Sequence, residues 1–166
     1  MNTRILSMVA AVALLAACES QPEGAATTTG AGAAQPAATT TAKPAGIQPG
    51  TQADLVANVG DRVFFDFDKY DVKPDARATL EKQAAWLKKY PSVSLVVEGH
   101  CDERGTREYN LALGERRANA VKDYLVAMGV QASRLKTISY GKERPVALGS
   151  TDASYAQNRR GVSVVQ

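Results

Sequence analysis

Histidine, cysteine and tryptophan are nearly absent from this chain, which holds one histidine, two cysteines and one tryptophan in 166 residues. That scarcity removes most site chemistry. A structural zinc site takes about four nitrogen or sulfur ligands at suitable spacing, whereas His100, Cys101 and Asp102 are contiguous and no second histidine exists. A cysteine–histidine couple needs two side chains that meet, and neighbours at a strand end point to opposite faces. No catalytic residue, metal or cofactor is therefore expected. His100 is expected to hydrogen-bond locally and Cys101 to act as a small apolar residue. Charge of one sign is lacking too: 20 basic residues face 17 acidic ones, so there is no footprint for nucleic acid. No internal repeat is present. The one long apolar run, Ile5 to Ala17, falls short of the roughly 20 residues that span a bilayer.

That run reads instead as a signal peptide over residues 1–17, with Arg4 as its positive n-region. Leu15-Ala16-Ala17-Cys18 has the spacing of a bacterial lipobox, whose cysteine is acylated after cleavage. Ordinary secretory cleavage, leaving Cys18 as a free thiol, is the plainer alternative. Each buried methylene adds about 0.8 kcal/mol of membrane affinity, and firm anchoring takes more than one chain. With Cys18 acylated, Cys101 has no partner, and no disulfide is expected. Glu19 follows, where an aspartate would signal retention in the inner membrane. The expected location is the periplasmic face of the outer membrane.

Residues 18–59 are rich in Ala, Thr, Gly, Gln and Pro. Such a segment buries too little surface to offset its ordering entropy. It is expected to be a flexible tether reaching about 35 Å on average and about 130 Å when extended. The folded domain is then expected over 60–166. Val63, Phe65 and Phe67 alternate as one face of a strand. Pro74 opens a helix whose apolar face is Ala76, Leu80, Ala84 and Leu87, and Pro91 ends it. Val93 to Glu98 is a strand apolar on both faces in part, hence central. A second helix, capped by Thr106 or Asn110 and stopped by Gly129, carries the stripe Leu111, Gly114, Ala118, Val121, Leu125 and Met128. Leu135 to Tyr140 is a third strand, 152–160 a short helix or turn, and Val162 to Val165 a last strand. The pattern β-α-β-α-β-(α)-β predicts an α/β (α+β) two-layer sandwich: a mixed four-stranded sheet with helices on one face.

Glu98 to Val121 concentrates the chemistry. Asp102 lies just past the central strand. At about 100° per residue, Arg117 sits about 40° from Val121, on the border of the buried stripe, while Arg116 sits about 140° away and faces water. A carboxylate suits an ammonium, and a guanidinium suits a carboxylate through two parallel hydrogen bonds. Asp102 and Arg117 could thus clasp a small zwitterion, aided by backbone N–H groups at the helix start. Charge spacing fits a solvated ion pair of about 0–1 kcal/mol equally well.

The motif Gly99-His-Cys-Asp-Glu-Arg-Gly-x-x-x-Tyr-Asn-x-x-Leu-x-x-x-Arg-Ala118 is very similar to the signature of OmpA-like peptidoglycan-binding domains. Phe65-Asp-Phe-Asp68 ahead of it, and Tyr140-Gly-Lys-Glu-Arg-Pro145 and Asn158-Arg-Arg160 behind, resemble the lipoprotein branch of that family. The resemblance spans Val63 to Val165. It implies binding of the meso-diaminopimelate in peptidoglycan stem peptides, with Asp102 on the ammonium and Arg117 on a carboxylate. Asp68, Asn110 and Arg159 occupy further matching positions. Cys101 departs from the threonine or alanine common at its position, which removes any hydroxyl contact there. The resemblance also implies a non-enzymatic link between outer membrane and cell wall, active in division, and partnership with TolB and other Tol-system proteins. The alternative is an interaction module whose main ligand is a periplasmic protein such as TolB.

Overall fold

The computed structural model describes residues 46–166. The expected signal peptide, Cys18 and most of the expected tether lie outside the described residues. Four strands make one mixed sheet: β1 (Arg62–Phe64), β2 (Leu95–His100), β3 (Leu135–Gly141) and β4 (Arg160–Val165), ordered β1-β4-β2-β3. β4 runs antiparallel to both β1 and β2, and β2 runs parallel to β3. The helices are α1 (Gln52–Asp54), α2 (Pro74–Lys89), α3 (Arg107–Ala127) and α4 (Asp152–Asn158). The sheet, the two long helices and the central place of β2 agree with the sequence pattern.

Period-two alternation in β2 sends Leu95 and Val97 into the core with Leu80, Leu87, Val121 and Leu125. Each fully buried leucine adds on the order of 2 kcal/mol. Glu98 and His100 share the other face, where the histidine Nε2 lies 3.3 Å from the glutamate carboxylate. α3 crosses this sheet in close contact. A Cβ on Gly99 would stand 1.8 Å from the Gly114 carbonyl oxygen, so only glycine lets helix and strand approach this far. The β2–β3 register runs from Leu95↔Leu135 to Gly99↔Ser139, then shifts so that His100 meets Gly141. That irregularity turns the chain out of the sheet toward Asp102.

Three expectations are corrected. The tether does not extend to residue 59, and the folded part begins before residue 60. Thr51 caps α1, and a wide π turn (Leu55–Val59) follows. Leu55 is fully buried in the core. The Asp54 carboxylate accepts hydrogen bonds from Gly50 N at 2.8 Å, Asn58 Nδ2 at 2.7 Å and Trp86 Nε1 at 2.9 Å. The Gln52 side chain accepts from Val165 N at 2.7 Å and donates to Ser163 O at 3.3 Å. Composition undervalues this segment because one leucine and four polar side chains hold it.

Phe67 does not share the buried face of Val63 and Phe65: it is 58% exposed. β1 ends at Phe64, and the chain then turns through Asp68, whose φ of 57° is the one positive value among described non-glycine residues. On α3, Leu111 (42% exposed) and Met128 (36%) also leave the expected stripe. Asn110, Leu113 and Arg117 are buried instead. Loops from β1 and β2 cover the first turns of α3, so its inner face there is polar and rotated from the apolar stripe. Met128 lies past the helix end, where Gly129 turns the chain with φ 89°.

Candidate functional site

Asp102 and Arg117 open onto one cavity of about 180 Å³, as do Asp68, Asn110 and Arg159. All five residues singled out from the sequence are thus brought together. Phe67, Cys101, Arg104 and Tyr109 complete much of the wall.

Each residue is held by a different element. Asp102 sits two residues past β2. Its carboxylate accepts Arg104 N at 3.2 Å, which closes a tight turn, and its side chain is only 5% exposed. Burial pushes its pKa up, but the hydrogen bonds and charge of Arg104, with help from Arg159, hold it below the ordinary 3.8. Arg159, just past α4, donates Nη1 to Asp102 at 3.3 Å and Nε to Phe65 O at 3.0 Å. Asn110, in the first turns of α3, donates to Arg104 O at 2.7 Å and Thr106 O at 3.0 Å. Thr106, not Asn110, caps α3 through Tyr109 N. The Tyr109 hydroxyl donates to Asp68, securing the residue with positive φ at the cavity mouth.

Arg117 is 0% exposed. Its Nε donates to Lys69 O at 2.8 Å, Nη1 to His100 O at 2.8 Å and Nη2 to Asp66 O at 3.1 Å. The guanidinium lies 5.3 Å from the Phe65 ring centre. It therefore ties α3 to the end of β2 and to the turn after β1. Burial lowers its pKa from the ordinary arginine value, opposed by the neighbouring Cys101 and Asp102. Three of its five N–H groups are spent on these carbonyls, and the guanidinium also neighbours the Cys101 thiol. The helical phase put Arg117 at the border of the stripe; its carbonyl partners carry it fully inside.

Sequence reasoning missed Arg104. Its Nη2 lies 2.6 Å from Asp102 Oδ2 and its Nε 3.3 Å from Oδ1. The guanidinium is sandwiched 4.0 Å from the Phe67 ring centre and 4.3 Å from that of Tyr155. The available signal was Asp102 followed three residues later by Gly105, whose φ is 89°, a turn pattern that folds Arg104 back onto the acid. Beyond the cavity, His100 is buried against Tyr140 with ring centres 5.5 Å apart, and its Nδ1 has no partner. Burial, then the charges of Arg160 and Arg144, lower its pKa to about 4. The buried Cys101 thiol donates to Asn110 O at 3.3 Å, and burial raises its pKa. Among the described residues no group of three histidine, cysteine or acidic side chains could hold a metal ion. No described helix is long and apolar enough to cross a membrane.

A family model for the OmpA family matches residues 64–159. A peptidoglycan-associated lipoprotein of Rhizobium meliloti is 58% identical over 117 residues, covering 70% of this chain. The match spans 66% of that relative, just under two thirds of its length. A protein of the same name from Haemophilus influenzae is 44% identical over 164 residues, covering 98% of both chains. Among solved structures, the peptidoglycan-associated lipoprotein from Burkholderia pseudomallei is 48% identical with a TM-score of 0.63, covering 64% of this chain and 90% of that one. The OmpA-like domain of FopA1 from Francisella tularensis is 25% identical with a TM-score of 0.53, covering 63% and 72%.

Proposed function

We propose, from the premise that this chain belongs to the OmpA family and within it to the peptidoglycan-associated lipoproteins, that it binds peptidoglycan without covalent linkage and joins the outer membrane to the wall. The family is non-enzymatic. One observation carries the reading: an acid and an arginine of opposite preference share a cavity of small-ligand size. The free end of a diaminopimelate residue carries an ammonium and a carboxylate on one carbon. Asp102 takes the ammonium, and the Arg117 guanidinium takes the carboxylate. Asp68, Asn110 and Arg159 shape the walls. Lipid on Cys18, after removal of residues 1–17, holds the other end of the molecule in the outer membrane. The remaining tether then lets the domain reach the wall. The same reading makes the protein a member of the Tol–Pal system, in contact with TolB and active in division, and family likeness is its support.

The test is co-sedimentation of the full chain with purified sacculi. Asp102→Ala is expected to reduce the bound fraction about tenfold or more, because it leaves the ligand ammonium without its counter-charge. Unchanged binding removes Asp102 from the site. A second reading has one observation of its own: Phe67 and Tyr109, which line the cavity, are exposed, and exposed aromatics are common where proteins meet. On that reading the main partner is a periplasmic protein such as TolB. Competition by a free stem peptide separates the two.

A further inference from the structure

Resting on the reading above, we propose that Arg104 is a built-in occupant of the ammonium subsite, which the incoming ligand must displace, and so sets both the rate and the selectivity of binding. Its guanidinium stands where the ligand's cation has to stand. Two of its nitrogens face the two carboxylate oxygens of Asp102, at 2.6 and 3.3 Å. The exposures of the partners are unequal: the Asp102 side chain is 5% exposed and that of Arg104 is 36%. The acid is thus fixed and shielded, while the arginine covering it borders solvent, so it has a path outward that does not cross the core.

The covering position is built rather than incidental. Phe67 and Tyr155 stack against the guanidinium from two different parts of the chain. Tyr155 and Ser150 both donate to Glu103 beside it, at 2.9 and 2.6 Å, and Lys142 donates to the carbonyls of Glu103 and Gly105 at 3.1 and 2.7 Å. The backbone of the Glu103–Gly105 turn is therefore tied down, and the side chain alone must swing. Arg159 does not share this role, because its second bond, to Phe65 O, anchors it to the wall.

Displacement has a threshold. A simple amine exchanges one cation at Asp102 for another and gains little. A zwitterionic end gains the Arg117 contact in the same event, and that second contact offsets the loss of the Arg104 pair. Apparent affinity falls in proportion to the uncovered fraction, so removing the cover raises it by the reciprocal of that fraction.

Arg104→Gln is expected to bind a stem tripeptide ending in meso-diaminopimelate about tenfold more tightly in calorimetric titration, mainly through faster association. It should also narrow the preference over a lysine-ended tripeptide, which offers an ammonium without the adjoining carboxylate. Tyr155→Leu removes one stacking partner together with its hydroxyl bond to Glu103, and leaves the cavity wall intact. It should move affinity the same way by about twofold, which keeps the test open if Arg104→Gln does not fold. In the parent protein, the Arg104 Nε–H resonance should shift and exchange faster as the diaminopimelate peptide is added. Weaker or unchanged binding in both variants, or an unmoved resonance at saturation, overturns the proposal. Asp102→Ala run alongside separates the outcomes: if it binds as the parent does, the site itself is wrong; if it fails while Arg104→Gln gains nothing, only the displacement is wrong.

Discussion

Arg117 is both a proposed ligand contact and a structural tie, and its replacement separates the two roles. Arg117→Ala removes the donors to three carbonyls, two of them on the turn after β1 and one at the end of β2. A buried acceptor left without a partner costs about 1–3 kcal/mol. The His100 carbonyl bond is buried while the other two are partly buried, so water entering the vacated space recovers part of the loss. Relief of the buried charge recovers a further part. The net expectation is about 3–4 kcal/mol, a large fraction of the 5–15 kcal/mol typical of a domain. In a domain of this size that lowers the melting temperature by about 10–15 °C. Loss of wall binding by Arg117→Ala is thus uninformative by itself. Arg117→Lys keeps the charge and reaches some of the carbonyls, so its stability cost is expected near 1–2 kcal/mol. It cannot offer a carboxylate two parallel hydrogen bonds, and its affinity for the stem tripeptide should still drop at least tenfold. Thermal melting and calorimetric titration of both variants decide the matter. An Arg117→Ala protein that melts within 2 °C or so of the parent would show that the three carbonyls do not depend on this side chain. An Arg117→Lys protein that binds normally would leave it a tie and nothing more.

Two further predictions concern its neighbours. Gly99→Ala places a Cβ 1.8 Å from Gly114 O, so α3 must retreat by more than about 1 Å to restore contact distance. Because β2 leads to Asp102 and α3 carries Arg117, the expected result is about 1–3 kcal/mol of lost stability and about a hundredfold weaker peptide binding; parent-like values in both assays would contradict the close-contact argument. His100 is neutral in the folded protein, its pKa lowered from 6.5 to about 4. The unfolded chain therefore takes up the proton first as pH falls. Stability is full above 6.5 and declines toward 4, by about 2 kcal/mol between pH 7 and 5. Urea midpoints should follow that slope in the parent and lose it in His100→Phe, and a slope that survives the substitution assigns it to another group.

What could be read from the residues depended on periodicity. α2 follows a clean three-and-four spacing and lies where the pattern puts it, while β2, expected over Val93 to Glu98, begins at Leu95 and runs on to His100. Arg117 was legible by phase and its pairing with Asp102 by charge and family likeness, and the cavity contains both. Leu55 was not legible, because Leu55, Val56 and Val59 in an otherwise small and polar stretch show no clear period; the Asp54–Trp86 bond beside it fastens the segment across the fold. Phe67 continued an alternation that the backbone abandons at Asp68. Arg104 was hidden for a related reason: a turn folds it back onto Asp102 within two residues, and neither helical nor strand spacing describes that geometry.

The docked segment ahead of β1 determines where a pull on the chain enters the domain. Tension arriving from the N-terminal side meets the Gly50–Asp54 bond, then Trp86 on α2 and, through Gln52, the end of β4. Strain is thereby divided between a helix and an interior strand before it can reach β1, an outer strand of three residues. On the proposed reading, a pull from a membrane anchor would thus be taken up at α2 and the end of β4, ahead of the short outer strand.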